Sequence, residues 1–149
     1  MVDETSAFSV RPHPELGGWH LWRSHDAVRF NTLLGELAVR CEGEGRVRLR
    51  MQPQQQLSNM IGGLHGGALL TFIDVALFVG PLACGDDKAL GGVTVDLSTQ
   101  FAGGADLTRP IDLLLETVRE TGRMKFLRGV IDQEGDMIAS FIATVRKPR

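Results

Sequence analysis

Residues 68–79, ALLTFIDVALFV, decide the fold of this chain, and they follow directly on a glycine-rich loop at 62–67, GGLHGG. The segment is long enough for a helix and apolar on nearly all of its sides, so the helix must be buried. Asp74 is its one charged residue. The rest of the chain must therefore supply a surface that encloses this helix.

Strand-like segments lie on both sides of the predicted helix. Upstream, residues 33–41 and 45–51 read as two strands, and the second alternates three arginines with apolar residues. A solvated strand face is the favoured interpretation of these arginines, and an anion-binding stripe is the alternative. Downstream, four more strands are predicted, with hairpin turns between the last three. These strands cover residues 92–101, 111–120, 124–132 and 137–146.

The order of two strands, one helix and four strands restricts the fold class. One helix cannot supply the crossover connections of a parallel sheet, so the sheet must be mostly antiparallel. We therefore expect an α+β fold in which a curved, mostly antiparallel six-stranded sheet wraps around one long central helix. This arrangement is the hotdog fold.

The composition is that of one globular domain. The 149 residues are 43% hydrophobic and 23% charged, with a formal net charge of −2. A nucleic-acid binder usually carries a basic face, which this charge balance argues against. Two prolines and two glycines lie between positions 12 and 18. We therefore expect residues 1–29 to form an irregular segment that packs on a domain built from residues 30–149.

The cysteines and the apolar segments bear on the cellular compartment. Cys41 and Cys84 form no CxxC pair, so we expect two reduced thiols and no zinc site, with a disulfide between them as the less favoured alternative. The N-terminus lacks the apolar run of a signal peptide. Residues 68–84 are expected to be too short and too polar to span a membrane. The expected location is the cytoplasm.

Several common catalytic motifs are absent from the sequence. It contains no GxSxG nucleophile elbow and no HExxH metal-binding helix. The glycine-rich loop lacks the lysine of a phosphate-binding P-loop and the glycine spacing of a dinucleotide-binding loop. We therefore expect chemistry that uses neither a metal ion nor a redox cofactor.

Candidate residues for chemistry lie at the start of the helix. Backbone N–H groups in a first helical turn have no intrahelical acceptor and lie at the positive end of the helix dipole. Because Gly66 has no side chain, a substrate carbonyl oxygen can approach its N–H closely, as in an oxyanion hole. The alternative is that Gly66 and Gly67 only allow close packing of the helix on the sheet.

Asp74 is a carboxylate within an otherwise apolar helix. Burial of a charge is costly unless the charge is paired or used, which suits a general base or a nucleophile; a structural hydrogen-bonding role is the alternative. Asp74 lies about 12 Å along the helix from Gly66, and on the opposite face from His65. If Gly66 and Asp74 serve one reaction, Asp74 must come from a second subunit. A two-fold dimer with composite sites is therefore expected.

The same residues resemble the signature of a known family. Residues 59–67, NMIGGLHGG, match the NxxGxxHGG pattern of the PaaI-like hotdog thioesterases, and Asp74 stands at the position of their catalytic acid. Residues 92–96, GVTVD, resemble the third-strand segment of that family. The likeness extends over most of the chain, from residue 30 to residue 145. It implies hydrolysis of acyl-CoA thioesters.

The resemblance also implies a role for each matched residue. The Gly66 N–H and the Asn59 amide would polarise the thioester carbonyl. Asp74 of the second subunit would activate water or attack directly. Thr94 would help to position that water, although a plain structural role in the strand is an equal alternative. His65 would support the loop or the leaving group.

Four further residues are candidate substrate contacts: Gly67, Phe78, Arg123 and Lys125. Gly67 lies beside the expected oxyanion hole. Phe78 either lines the acyl pocket or packs in the core. Arg123 and Lys125, at a hairpin turn, are candidates for binding the CoA phosphates, and solvated turn charges are the favoured alternative.

The expected protein is a homodimer, assembled further into a dimer of dimers, that hydrolyses acyl-CoA to free acid and CoA. CoA is then part of the substrate, and no cofactor is expected. Neither a nucleic acid nor a membrane is expected as a partner. Two alternatives remain open: a hotdog dehydratase or hydratase acting on acyl thioesters, and a non-catalytic module that binds acyl-CoA.

Overall fold

One antiparallel sheet wraps around one long helix in the computed structural model, which describes residues 7–149. The strands are β1 (Phe8–Pro12), β2 (His20–Ser24), β3 (Leu37–Cys41), β4 (Arg46–Met51), β5 (Val93–Phe101), β6 (Ile111–Glu120), β7 (Met124–Gln133) and β8 (Asp136–Arg146), and the helix is α1 (Gly66–Ala83). Three short 3-10 helices cover Phe30–Leu34, Gln55–Leu57 and Ala89–Gly91. The strand order is β1-β2-β3-β4-β6-β7-β8-β5. The predicted hotdog architecture is thus confirmed, but the sheet has eight strands instead of the expected six.

The helix α1 forms the centre of the core. Nine of its 18 residues are buried, and the side chains of Phe72, Ile73 and Ala76 are fully enclosed. The prediction of a buried helix is confirmed, and the helix extends beyond the predicted bounds at both ends. Its length and mean hydropathy of 1.8 would by themselves suffice for a membrane span, contrary to our expectation for this stretch. Burial of half of the helix inside the protein accounts for that apolar composition.

The expectation of an irregular N-terminal segment is wrong for two stretches. Residues 8–12 form β1 and residues 20–24 form β2, and β2 pairs with β3, so both strands belong to the one sheet. The prolines and glycines that suggested irregularity lie at the end of β1 and in the loop that follows it, where they do not interrupt a strand. Residues 1–6 of this predicted segment lie outside the described part of the chain.

The predicted strand over residues 33–41 is correct only in its second half. The chain forms the 3-10 helix Phe30–Leu34 and then passes through Gly35, which has a φ of 73°, before β3 begins at Leu37. A left-handed backbone at Gly35 is accessible to glycine at little cost, and it ends the 3-10 helix. Leu34 nevertheless is buried in the core, which explains why the stretch carries an apolar pattern.

Two of the three arginines of β4, Arg48 and Arg50, are half-buried and paired, contrary to the interpretation of a solvated face, and Arg46 is exposed. The Arg50 guanidinium donates to both carboxylate oxygens of Asp112, at 2.7 and 2.9 Å, and Arg48 Nε lies 2.8 Å from Glu42 Oε1. Hydrogen bonds from arginines lower the pKa of Glu42. Arg50 also lies 5.1 Å from the centre of the Trp19 ring. The loop between β1 and β2 thus covers this part of the sheet with an aromatic side chain.

The two cysteines form a disulfide, so the expectation of two reduced thiols is wrong. Cys41 is the last residue of β3 and Cys84 caps the C-terminal end of α1, and their Cα atoms are 5.8 Å apart. The residues are 43 positions apart in the chain. Spacing alone does not reveal that these two element ends meet. The disulfide ties the helix directly to the sheet.

This cross-link should contribute substantially to stability. We expect Cys84→Ser to lower the free energy of unfolding by about 4 kcal/mol, because the unfolded chain regains the freedom of a 43-residue loop. Chemical denaturation of the oxidised wild type, the reduced wild type and Cys84→Ser would measure it. The last two proteins should agree with each other. Labelling of two thiols in the native, unreduced protein would contradict the disulfide.

Candidate active site

His65 shapes the beginning of α1. It is the N-cap residue, with extended backbone angles, and its Nδ1 accepts a hydrogen bond from the Gly67 N–H at 2.8 Å. The His65 N–H in turn donates to the Leu57 carbonyl oxygen at 2.8 Å, which anchors the cap. The Gly67 N–H is therefore occupied within the chain. Gly67 thus helps to fix the cap, and its amide is not the available donor at this end of the helix.

The Gly66 N–H is the available donor. No hydrogen-bond acceptor for it is found within residues 7–149, and it lies at the positive end of the helix dipole. A Cβ placed on Gly66 would lie 3.5 Å from the ring of Phe101, an ordinary contact distance. Phe101 is thus a neighbour of the candidate oxyanion hole that the sequence did not single out. In the sequence, the only indication of a special role for Phe101 was its position at the end of a predicted strand, two residues before a glycine pair.

Asn59 organises the loop that leads to this N–H. Its side-chain oxygen accepts hydrogen bonds from the N–H groups of Ile61 and Gly63, both at 3.0 Å, and Nδ2 lies 3.4 Å from the Leu64 carbonyl oxygen. Gly62 has a φ of 88°, which the tight turn requires. An amide NH₂ carries two hydrogens, so Asn59 retains donor capacity after folding the loop.

Asp74 and Thr94 form a pair. The Thr94 hydroxyl donates to Asp74 Oδ1 at 2.6 Å, which joins the middle of α1 to the beginning of β5. A β-bulge follows Thr94, since Thr94 and Asp96 pair with adjacent residues of β8 and Val95 has no partner there. Bulges of this kind redirect neighbouring side chains. The structure therefore brings together two of the residues that the sequence proposed for catalysis, within one subunit.

The oxyanion donor and the carboxylate lie on one continuous helix. Gly66 is the first residue of α1 and Asp74 is near its midpoint, which separates them by about 12 Å along the axis. One chain therefore does not bring the Gly66 N–H and the Asp74 carboxylate to a single carbonyl group. The pair of Asp74 and Thr94 instead lies beside β5, the strand at one edge of the sheet.

Phe78 and Lys125 line a cavity of about 330 Å³ near the C-terminal half of α1. We call it the lysine cavity. The Lys125 side chain is buried, and its Nζ lies 2.9 Å from Asp86 Oδ2. That hydrogen bond lowers the pKa of Asp86. Arg123 is exposed at the hairpin turn. Arg123 is not among the residues that line the lysine cavity, and the charge of Lys125 already has a partner.

Another cavity opens beside the start of α1 and was not expected from the sequence. It has a volume of about 320 Å³ and lies between the 3-10 helix Phe30–Leu34 and the first turns of α1, and we call it the Phe30 cavity. Its lining includes His65 and Gly67. Sequence reasoning missed it because residues 33 and 34 were assigned to a strand.

Comparison with known proteins points to one group. Acyl-coenzyme A thioesterase 13 of Homo sapiens is 26% identical over 100 residues, which cover 67% of this chain and 70% of that protein, and the protein of the same name from Pongo abelii gives the same values. No family model matches the chain.

Solved structures share the architecture. Thioesterase superfamily member 2 of zebra fish superposes with a TM-score of 0.71 at 22% identity, over 81% of this chain and 88% of that chain. The PaaI protein of the phenylacetic acid degradation operon of E. coli gives 0.65 at 18% identity, over 78% and 81%. A hypothetical thioesterase of Streptococcus pneumoniae, solved with coenzyme A, gives 0.64 at 20% identity, over 74% and 87%.

The comparison by structure and the comparison by sequence agree with each other. The superpositions show the hotdog fold, and the relative that is similar in sequence is a thioesterase by name. The helix begins at Gly66, within the stretch that matches the NxxGxxHGG pattern. This chain therefore has the hotdog fold, and over 67% of its length it is similar in sequence to an acyl-coenzyme A thioesterase.

Proposed function

We propose that this protein hydrolyses an acyl-CoA thioester to a free acid and CoA. The observation that carries the proposal is the available Gly66 N–H at the helix start, in a chain that also presents a carboxylate held by a hydroxyl at 2.6 Å. These are the two groups that acyl transfer to water requires: a donor for the developing oxyanion and a base for the water. The 26% identity to acyl-coenzyme A thioesterase 13 supports the same reaction.

The Gly66 N–H polarises the thioester in the proposed mechanism. The carbonyl oxygen accepts a hydrogen bond from Gly66, and the free hydrogen of the Asn59 amide provides a second donor. Because the bond between His65 and Gly67 fixes the first helical turn, the Gly66 N–H is held in place before substrate arrives. The positive end of the helix dipole favours the negative charge that develops on the oxygen.

Asp74 then activates the water. Thr94 donates to Oδ1, which leaves Oδ2 free to accept a proton from water as the water oxygen attacks the carbonyl carbon. The tetrahedral intermediate collapses with loss of the CoA sulfur, and the proton held by Asp74 passes to that sulfur. Neutral His65 carries its proton on Nε2, because Nδ1 is an acceptor, so it can support the departing sulfur. Direct attack by Asp74 is the alternative route with the same residues.

The proposed site is shared between two subunits. Because Gly66 and Asp74 are about 12 Å apart on one helix, the base must come from a second copy. The strand β5 has an unpaired edge and exposes Val93, Val95 and Phe101 at about half of their surface. Antiparallel pairing of β5 with its copy would cover these side chains and bring both Asp74 and Thr94 pairs to the interface. A dimer of dimers is proposed as the further assembly.

The remaining components follow from this proposal. CoA is part of the substrate, and none of the proposed steps requires a cofactor. Arg123 and Lys125 remain candidates for the CoA phosphates. For Lys125 this would require exchange of Asp86 for phosphate. A cytoplasmic location is also proposed, where substrates of this kind are available, although stable disulfides are more common in oxidising compartments.

Removal of the base should abolish turnover and preserve the fold. We expect Asp74→Asn to lower kcat by at least about 100-fold, and Thr94→Val by about 10-fold, because the first removes the proton acceptor and the second only its orientation. Release of free thiol from a panel of acyl-CoA substrates measures both. Asp87→Asn, at an exposed loop position, is the matched control and should be active. Full activity of folded Asp74→Asn would exclude Asp74 from the mechanism.

The oxyanion donor can be tested with a matched pair of variants at one position. Gly66→Ala retains the N–H and is sterically tolerated, since its Cβ would make an ordinary contact with the Phe101 ring at 3.5 Å. Gly66→Pro deletes the N–H at the first helical position, where proline is well tolerated. We expect the proline variant to lose at least about 100-fold in kcat and the alanine variant to lose far less. Equal activity of the two folded proteins would refute the assignment.

Subunit mixing tests the composite site. Gly66→Pro and Asp74→Asn are each expected to be inactive, and random reassociation after joint unfolding makes half of the dimers mixed. Each mixed dimer then has one intact and one doubly altered site, so activity should recover to about a quarter of wild type. Mixing Asp74→Asn with Asp74→Ala is the control and should recover nothing. If wild type refolds fully and the first mixture remains inactive, the site is built within one chain.

A further inference from the structure

Gln133 is a buried polar side chain that the proposed mechanism does not use. It is the last residue of β7 and only 2% of its surface is exposed. Within residues 7–149, its side-chain hydrogen bonds all go to Asp106 and Arg109. Both partners belong to the segment between β5 and β6, residues 102–110, which we call the β5–β6 loop. Burial of an amide is costly unless its polar groups are paired, so these bonds account for the presence of Gln133 in the interior.

The Gln133 amide is paired with the backbone of the β5–β6 loop. Its Oε1 accepts from the Asp106 N–H at 2.8 Å, and its Nε2 donates to the carbonyl oxygens of Asp106 and Arg109 at 2.8 and 3.0 Å. Both amide hydrogens are thereby used. The contact requires two donors and one acceptor on one side chain, which glutamine provides and the isosteric glutamate does not. Gln133 thus holds Asp106 by both of its backbone groups, as a neighbouring strand would.

The β5–β6 loop depends on supports of this kind, because it forms neither a helix nor a strand. Gly103 and Gly104 are adjacent in it and give the backbone little rigidity. At its beginning, the N–H groups of Ala102 and Gly103 donate to the Ile138 carbonyl oxygen at 2.8 and 3.1 Å. Towards its end, the buried support is Gln133. The part of the loop between these two supports is therefore fixed in position.

That fixed part contacts the segment that carries the candidate oxyanion hole. The Ala105 carbonyl oxygen accepts a hydrogen bond from the Leu64 N–H at 3.1 Å, and Ala105 directly precedes Asp106. Leu64 is two residues before Gly66, and its own carbonyl oxygen lies 3.4 Å from Asn59 Nδ2. The position of the loop therefore bears on both proposed oxyanion donors.

We infer that Gln133 is a positioning residue of the candidate oxyanion hole. It fixes Asp106, and with it the neighbouring carbonyl group of Ala105, which in turn holds Leu64 and the approach to α1. The inference rests on the proposed thioesterase function, and it adds a residue that acts through the loop and not on the reacting atoms. Displacement of a catalytic group by about 1 Å can cost about 100-fold in rate, so loss of this support should act on turnover.

Amide hydrogen exchange tests this series of contacts without turnover. Gln133→Met keeps most of the side-chain volume and removes the hydrogen bonds to the loop. The Leu64 N–H should then exchange at least about 10-fold faster than in wild type, because its acceptor is no longer held in place. The Thr117 N–H is the internal reference, because it is bonded to the Gly45 carbonyl oxygen at 2.7 Å, near the C-terminal end of α1. Unchanged exchange at Leu64, or an equal increase at Leu64 and Thr117, would overturn the inference.

Glu134→Gln is the matched control. Glu134 follows Gln133 in the chain and reaches the same loop through an ion pair with Arg109 at 2.7 Å, but both of these side chains are exposed. Exposed ion pairs contribute little, so Glu134→Gln should keep the wild-type exchange rate at Leu64 and the wild-type kcat. An effect of Glu134→Gln as large as that of Gln133→Met would contradict the assignment to Gln133.

A measurement on the wild type keeps the test decisive if Gln133→Met fails to fold. The Asp106 N–H is bonded to Gln133 and the Leu64 N–H to Ala105, so a loop that is held as one unit should expose both amides in the same opening event. Their protection factors should agree within about 5-fold. A larger difference would show that Leu64 is not held through Gln133.

Hydrolysis assays separate failure of this inference from failure of the proposed function. Gln133→Met should lower kcat and kcat/KM by the same factor of at least about 10 and leave KM unchanged, because an oxyanion donor acts on the transition state. A wild-type kcat in folded Gln133→Met would contradict the inference and leave the thioesterase function intact. Faster exchange at Leu64, in a protein whose wild type releases thiol from no acyl-CoA, would contradict the function and support the connection between Gln133 and Leu64.

Discussion

Exposure of apolar side chains to water is unfavourable, and this constraint acts most strongly on the apolar helix α1. Nine of its 18 residues are buried. Each buried Leu, Ile or Phe contributes about 1.5–3 kcal/mol, so the enclosure of this helix by the sheet is a large favourable term in the stability of the fold. The position of every candidate site residue follows from it. Only the helix ends and one partly exposed stripe remain accessible to other molecules: Gly67, Leu70, Thr71, Asp74 and Phe78.

That restriction explains how polar chemistry and an apolar core coexist. The N-terminal end of α1 presents an amide without introducing a charged side chain into the core, because the donor is part of the backbone. The one carboxylate lies on the partly exposed stripe and is met by a hydroxyl from β5. Both groups are held by elements that the core makes rigid. Because both groups lie on one helix, the Gly66 N–H and the Asp74 carboxylate are held apart. In the proposed mechanism, association with a second chain brings such a pair together.

The sequence was most informative where one local pattern implied one structure. The continuous apolar run of α1 and the alternating strands β4, β6, β7 and β8 appear close to their predicted bounds. Prediction from sequence patterns failed where a contact between distant parts of the chain determined the structure. Nothing local indicates that Cys41 and Cys84 meet, or that a strand at 20–24 adds to the edge of β3.

The same distinction between local patterns and tertiary contacts holds for the candidate site. Signature spacing singled out Asp74 and Thr94 as candidates, and the structure joins these two side chains by a hydrogen bond. The spacing did not show that the His65 ring occupies the Gly67 N–H or that the Asn59 oxygen folds its own loop. Cavities depend on which elements lie side by side, so the Phe30 cavity has no counterpart in any short motif.

The two edges of the sheet differ, and the difference governs how the protein can aggregate. One edge is β5, nine residues long, and the other is β1, which has five residues, includes Arg11 and ends at Pro12. A sheet with two equivalent long edges can add copies indefinitely and grow into a fibril. In the described part of the chain the short edge is limited by proline and charge, so the long edge is better suited to strand pairing. If two copies pair through β5, as the proposed dimer requires, neither copy keeps a long edge for a third.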